Sequence, residues 1–280
     1  MTTPARFAWS RSYRGPVQAV ILDWAGTTVD FGSLAPAAVF VEVFARRGVA
    51  ISLEEARGPM GLPKKDHIRE LTREPAIARR WQERHGRLPQ ETDVEAMYAD
   101  FVPLQLDCLA RHSRLVPGTA ETVAALRARG VRIGATTGYS SAMTEINLRE
   151  AEAQGYRPDV AISADEVPAG RPLPHMALLA AIRLGVECVQ ACVKVDDTVP
   201  GIEEGLNAGM WTVGVAVSGN EVGLSLPDWQ ALSEAERHER RARAFRRLLQ
   251  AGAHYVVDSI ADLLSCIEDI EGRLRRGDKP

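Results

Sequence analysis

Lysine is scarce in this chain of 280 residues. Lys64, Lys65, Lys194 and Lys279 are the whole supply, so any chemistry that needs a side-chain amine must draw on one of them. Cysteine is equally sparse, and the four residues (Cys108, Cys188, Cys192, Cys266) are widely spread. The one close pair, Cys188 and Cys192, has no second Cys/His pair at ligand spacing, so these read as small buried hydrophobes rather than a metal site. Charge of one sign is also missing: a formal net charge of −3 gives no global attraction to nucleic acid or an anionic membrane. Nowhere are there the ~18 uninterrupted apolar residues of a membrane span. The opening MTTPARFAWSRSYRGP is basic but lacks the apolar stretch of a signal sequence. A soluble, cytoplasmic protein is expected. With 45% hydrophobic and 25% charged residues, the chain can build one large domain or a core with a subdomain.

What is present is a repeated pattern of short apolar runs. Val17–Leu22, Val131–Thr136, Val160–Ser163, Cys192–Val195 and Trp211–Val217 suit strands buried on both faces, as in a parallel sheet, and His254–Val257 is a sixth candidate. Helical patterns separate them, at Thr119–Arg129 (ended by Gly130), His175–Leu184 and Ile202–Ala208. Strand and helix alternate from about residue 114, which predicts an α/β fold with a doubly wound, Rossmann-like parallel sheet. Residues 34–113 break the alternation. They carry helical stretches (Ala35–Arg47, Lys64–Leu71, Pro75–His85, Thr92–Arg111) and no convincing strand, so an inserted all-helical cap domain is expected there. The core domain would then comprise 17–33 and 114–268, with flexible termini at 1–16 and 269–280. Ser225–Gln250 is Arg-rich but diluted by Glu234, Glu236 and Glu239. It reads as a solvated helix face whose start carries a Ser233/Glu236 capping box.

Ligands of an open α/β sheet lie at the carboxyl ends of its strands. Those ends read Asp23, then Thr136-Thr137-Gly138, then the stretch before Arg171, then Asp196-Asp197. Together they are the set phosphoryl transfer requires: a carboxylate nucleophile, a hydroxyl and backbone amides for phosphoryl oxygens, a cation, and further carboxylates for Mg2+. Each is weak alone, because an Asp closing a strand, a TTG turn or an Asp-Asp-Thr helix cap is common. The joint order resembles the haloacid dehalogenase superfamily over about 17–33 and 114–268, with the helical block where that superfamily often carries a cap.

One departure narrows the resemblance. Most phosphatases of the superfamily read Asp-x-Asp, the second Asp protonating a leaving oxygen; here the motif is Asp23-Trp24-Ala25-Gly26-Thr27-Thr28. Ala25 cannot donate a proton. A phosphonate would not need that acid, since breaking a C–P bond leaves a carbanion, and an iminium between a lysine and an adjacent aldehyde can accept its electron pair. The strings DWAGTTVDFG, PMGLPKKDH, VPAGRP and NAGMWTVGV resemble the phosphonoacetaldehyde hydrolase (phosphonatase) family over nearly the whole chain.

That resemblance implies roles for particular residues. Asp23 would be the nucleophile and Lys64 the Schiff-base lysine, with Lys65 one residue late. His67 and Met60 would sit near the imine. Thr137, Gly138 and Arg171 would bind the phosphoryl group, and Tyr139 would line the pocket. Mg2+ would be held by the carboxylates of Asp23 and Asp197 and the main-chain carbonyl of Ala25. The resemblance implies phosphonoacetaldehyde as substrate, a place in 2-aminoethylphosphonate degradation, and a homodimer. Two departures from the family involve three positions: Gly201 stands where some members carry Asp, with Asp196 where those members have Gly, and Ser33 stands where some carry Cys. Two rivals remain open: a Mg-dependent phosphatase or phosphomutase acting on a small phosphate ester, and a non-catalytic phosphate-binding module.

Overall fold

Alternation within the first strand already divides the molecule into layers. In β1 (Ala19–Leu22), Val20 and Leu22 enter one apolar cluster while Ala19 and Ile21 enter another, so the strand is covered on both faces. The computed structural model describes residues 12–280. After β1 come five helices: α1 (Leu34–Arg46), α2 (Leu53–Arg57), α3 (Lys64–Arg73), α4 (Pro75–His85) and α5 (Glu91–His112). The chain then alternates through α6 (Thr119–Ala128), β2 (Arg132–Thr137), α7 (Ser141–Glu152), β3 (Val160–Ser163) and α8 (His175–Arg183). It continues with β4 (Cys192–Asp196), α9 (Val199–Asn207), β5 (Trp211–Val215), α10 (Leu226–Ala231), α11 (Glu234–Gln250), β6 (Tyr255–Val257) and α12 (Leu263–Arg276).

The six strands form one sheet in the order β3-β2-β1-β4-β5-β6, every neighbouring pair parallel. From β1 the chain winds outward to β3, then crosses back to β4 and winds the other way. Beyond the carboxyl ends of β1, β2 and β4 the winding reverses, which opens a crevice there. The doubly wound parallel fold is therefore as expected from the apolar runs, and strand order is what those runs could not supply.

The inserted helices have an apolar cluster of their own, in which Phe40, Phe44, Ile68, Leu71, Trp81 and Phe101 are buried, with Tyr139 and Met143 of the sheet-bearing part packed against it. The chain leaves and re-enters through a narrow neck. The Asp30 N–H donates to the Arg114 carbonyl (3.0 Å) and the Val116 N–H to the Thr28 carbonyl (2.9 Å). Asp30 and Ser33 both adopt left-handed backbone (φ 53° and 49°), unusual for residues with a Cβ. Asp30 Oδ2 accepts the Ala35 N–H (2.9 Å) at the start of α1, which helps hold this turn.

Two expectations are corrected. Residues 269–276 are not a flexible terminus. They complete α12, because the stripe Leu263, Cys266, Ile267, Ile270 and Leu274 has helical spacing and is buried against the sheet. Residues 225–250 form two helices rather than one, broken at Leu232, with the Ser233/Glu236 capping box opening the second. Of the arm expected at 1–16, residues 1–11 lie outside the described residues. In the rest, the Tyr13 N–H donates to Gln190 Oε1 (3.0 Å). No helix among the described residues is long and apolar enough to cross a membrane.

Candidate active site

Asp23 follows β1 directly, at the centre of the crevice. Its N–H donates to the Val195 carbonyl (3.0 Å), which fixes the loop to β4, and its carboxylate accepts from Arg171 Nη2 (2.7 Å). Burial raises the Asp23 pKa, and Arg171 opposes that rise. The Trp24 carbonyl accepts the Thr27, Thr28 and Val29 N–H groups, so the Asp23–Val29 segment is a tight loop rather than a continuing strand.

Arg171 reaches this point from the loop after β3. Besides Asp23 it meets Asp196 (3.2 Å) and Glu204 (3.0 Å), and it donates to the Thr136 carbonyl (2.8 Å). Burial works against its charge, but Asp196, Asp23 and Glu204 more than offset this and hold its proton tighter than usual. Lys194, wholly buried in β4, pairs with Asp196 (2.7 Å) and Glu204 (3.4 Å). This floor of two cations and three acids under the pocket is largely what sequence reasoning missed. A lysine inside an apolar strand was the available signal, because a buried ammonium needs partners.

Asp196 and Asp197 are adjacent in sequence and opposite in state. Burial acts against the Asp196 charge, and Arg171, Lys194 and Thr198 overcome it, holding its pKa below the usual carboxylate value. Its Oδ1 accepts the Thr198 N–H and hydroxyl (3.1 and 2.7 Å). Gly201 makes the room: a Cβ there would fall 1.9–2.1 Å from the Asp196 carboxyl atoms. Asp197 has no ion pair among the described residues. It accepts the Asn220 N–H (2.7 Å) and, at 3.4 Å, the Thr27 hydroxyl. Burial, then Asp23 and Asp196, push its pKa well up.

Asp23, Asp196 and Asp197 bring one ligand atom each within 4.8 Å of the others, all buried. The donors are all oxygen, which suits a hard divalent cation, and Asp197 is the acid with no cation of its own. The residues therefore fit a divalent metal.

The helical lobe closes the other side. Lys64 is the first residue of α3 and is 7% exposed. Its Nζ lies 4.8 Å from the Tyr139 ring centroid and 5.8 Å from that of Phe40, with no hydrogen bond or ion pair among the described residues. Burial lowers its pKa to about 8 against the opposing pull of Asp23. Lys65 instead points outward and pairs with Glu95 (3.2 Å). The lobes touch closely: a Cβ on Gly138 would sit 2.7 Å from the Leu62 carbonyl oxygen, so only glycine lets the two backbones approach.

Asp23, Ala25, Met60, Lys64, Thr137, Gly138 and Arg171 all line one narrow cavity of about 20 Å³, with Ser33 and Tyr139 beside them. His67, expected among the substrate-binding residues, does not line it. One turn along α3 from Lys64, it is buried in the lobe with its ring stacked on Phe40 (centroids 3.8 Å apart). Its Nε2 lies 2.8 Å from the Ala56 carbonyl, an acceptor, so Nε2 carries the proton. Nδ1 has no partner among the described residues, and burial with Lys64 nearby pushes the His67 pKa well down. Asp197 also lies outside the lining and reaches the site through the acidic triad.

Comparison with known proteins agrees with this geometry. The profile of haloacid dehalogenase-like hydrolases matches residues 17–209. The chain is 50% identical over 274 residues to a phosphonoacetaldehyde hydrolase of Hahella chejuensis, covering 98% of this chain and 93% of that protein. It is 52% identical over 265 residues to one of Bordetella pertussis, covering 94% and 96%. A crystal structure of a phosphonoacetaldehyde hydrolase-like protein from Oleispira antarctica superposes with a TM-score of 0.95 at 48% identity, over 99% of this chain and all of that one. The chain belongs to the haloacid dehalogenase-like hydrolases and, among them, to the phosphonoacetaldehyde hydrolase family.

Proposed function

We propose that this chain hydrolyses the C–P bond of phosphonoacetaldehyde to acetaldehyde and phosphate. The observation that carries the reading is a buried amine with no ion-pair partner among the described residues, Lys64, lining the same cavity as Asp23, where Ala25 leaves no acid for an ester oxygen. A pKa lowered to about 8 leaves part of the amine neutral near pH 7, and the neutral form is what condenses with an aldehyde.

The Lys64 amine adds to the aldehyde and loses water, giving an iminium. Asp23 attacks phosphorus; the C–P bond breaks, and its electron pair moves into the iminium to form an enamine. Protonation of the enamine carbon followed by hydrolysis of the imine frees acetaldehyde and Lys64. Water then cleaves the aspartyl-phosphate, releasing phosphate and Asp23. Arg171, Thr137 and the Gly138 backbone meet the phosphoryl oxygens, and Arg171 is already oriented by Glu204 and Thr136. Asp23, Asp197 and the Ala25 carbonyl would hold Mg2+, which when bound offsets the charge of an anionic nucleophile beside an anionic substrate. His67, one turn along α3 from Lys64, stacks on Phe40 and donates to the Ala56 carbonyl outside the cavity, so its part is to brace the helix that carries Lys64. The helical lobe covers this narrow cavity, and its opening as a lid admits the substrate.

The test is trapping. Incubation with phosphonoacetaldehyde, reduction with borohydride and peptide mass spectrometry should place a two-carbon or phosphonate adduct on Lys64. Phosphate release without such an adduct would reject the imine route and favour ester-type phosphatase chemistry.

A further inference from the structure

Arg57 lies outside the cavity, yet its guanidinium joins three parts of the molecule. It is the last residue of α2, immediately before the loop that carries Met60 and leads to Lys64. Nη1 donates to the Gly32 carbonyl (2.8 Å), the Ser33 carbonyl (3.2 Å) and Asn220 Oδ1 (3.1 Å), while Nη2 donates to the Gly223 carbonyl (3.1 Å). Asn220 answers through its Nδ2, 3.4 Å from the Arg57 carbonyl.

The four acceptors belong to two segments. Gly32 and Ser33 form the neck, where Ser33 holds its left-handed backbone and the Gly32 N–H donates to the Ser218 carbonyl (2.7 Å). Asn220 and Gly223 belong to the core loop after β5, whose Asn220 N–H is the closest donor to Asp197 (2.7 Å). All four acceptors are neutral, and no carboxylate lies within ion-pair distance among the described residues. Asp30, Asp197 and Glu221 draw on this half-buried cation only from beyond ion-pair distance, and its direct contacts are all carbonyl and amide oxygens. What those contacts supply is geometry, because the planar five-donor fork can span acceptors that one ammonium could not.

We infer that Arg57 is a positioning residue that couples closure of the helical lobe to the orientation of Asp197. When the lobe is seated, the guanidinium fixes the neck and loop 218–224 together, and that loop presents the Asn220 N–H to the Asp197 carboxylate. When the lobe lifts, the fork leaves Asn220 and Gly223, and Asp197 loses its fixed donor. Lys64 therefore enters the cavity and Asp197 is set by the same movement. The inference rests on the reading above for the role assigned to Asp197.

Hydrogen–deuterium exchange on the substrate-free, metal-free protein tests it without invoking any substrate. Arg57→Met should speed exchange of amides in both 31–35 and 218–224 by roughly ten- to a hundredfold, the range expected for hydrogen bonds from a charged donor. Arg57→Lys should resemble Arg57→Met, and millimolar guanidinium should restore protection to Arg57→Met. In turnover, kcat should fall more than KM rises, since Arg57 lines no part of the cavity. Faster exchange confined to 53–63, with 218–224 as in the parent protein, would overturn the coupling. If Arg57→Met does not fold, Asn220→Ala keeps the backbone donor to Asp197 but removes one acceptor of the fork. It should then raise exchange in 31–35 as well as in 218–224; an effect at 218–224 alone would overturn the coupling. Failure of borohydride trapping with this exchange pattern intact would reject the imine route and leave the coupling standing.

Discussion

Two lysines are buried in this molecule, one in each half of the site, under opposite conditions. Lys194 in the sheet is wholly buried and meets Asp196 and Glu204 at 2.7 and 3.4 Å. Lys64 in the helical lobe is 7% exposed and faces the rings of Tyr139 and Phe40, with no ion pair among the described residues. The Lys194 ammonium is met by two carboxylates, whereas burial of the Lys64 amine favours its neutral form. The half of the site under the sheet is thus a fixed electrostatic floor, and the half on the helices supplies a tunable amine.

The largest expected effects separate these halves. Asp23→Ala should cut phosphate release by about 10⁴-fold or more, as loss of a covalent nucleophile does. It should still form a borohydride-trapped adduct on Lys64, because the imine is built by the other half. Loss of both together would show that the halves do not act independently. Lys64→Met should lower C–P cleavage by roughly 10³-fold while inorganic phosphate still binds, a prediction that calorimetry can check.

Stability should then show the two lysines to be of opposite sign. Lys194→Met leaves Asp196 and Glu204 short of a partner, and breaking such a buried set costs roughly 3–5 kcal/mol in denaturant unfolding. Lys64→Met should instead stabilise the metal-free protein at neutral pH. Its pKa falls from 10.5 unfolded to about 8 folded, so the unfolded state binds more protons between those values. The stability cost of Lys64 is therefore fully present below pH 8 and disappears as pH rises through 10.5, and removing it should gain at most ~3 kcal/mol. Destabilisation by Lys64→Met would mean that its stem packing outweighs the cost of its charge.

The smallest effect is graded rather than absolute. The rate of adduct formation should rise about tenfold per pH unit below pH 8 and level off above it, as the neutral amine accumulates. A flat profile from pH 6 to 8 would mean that the ionisation of Lys64 does not govern adduct formation.

Most of this architecture was legible because buried parallel strands have little choice of composition. Each apolar run ends where its chain meets the crevice, so Asp23, Thr137 and Asp196-Asp197 announce themselves as polar residues closing apolar strands. The distinction between Lys64 and Lys65 was legible only through family likeness, since both begin the same helix and only packing shows which one turns inward. His67 had the right spacing from Lys64, but its ring found Phe40 rather than the cavity. The C-terminal helix is hard to read in the sequence because its apolar stripe crosses residue 268, and either half alone is too short to show the helical spacing.

By itself the sequence determined the classes of chemistry on offer: strand periodicity, an acid closing the first strand, Ala25 where an ester-cleaving acid would stand, and very few amines. The tertiary structure decided how those groups are charged. Asp196 and Asp197 are neighbours with the same side chain, yet one is held ionised by Arg171 and Lys194 while the other is driven toward its neutral form by burial beside two acids. Such states depend on which charges arrive across the fold from 148 residues away, as Arg171 does at Asp23, and distance in space rather than along the chain sets the Coulomb energy.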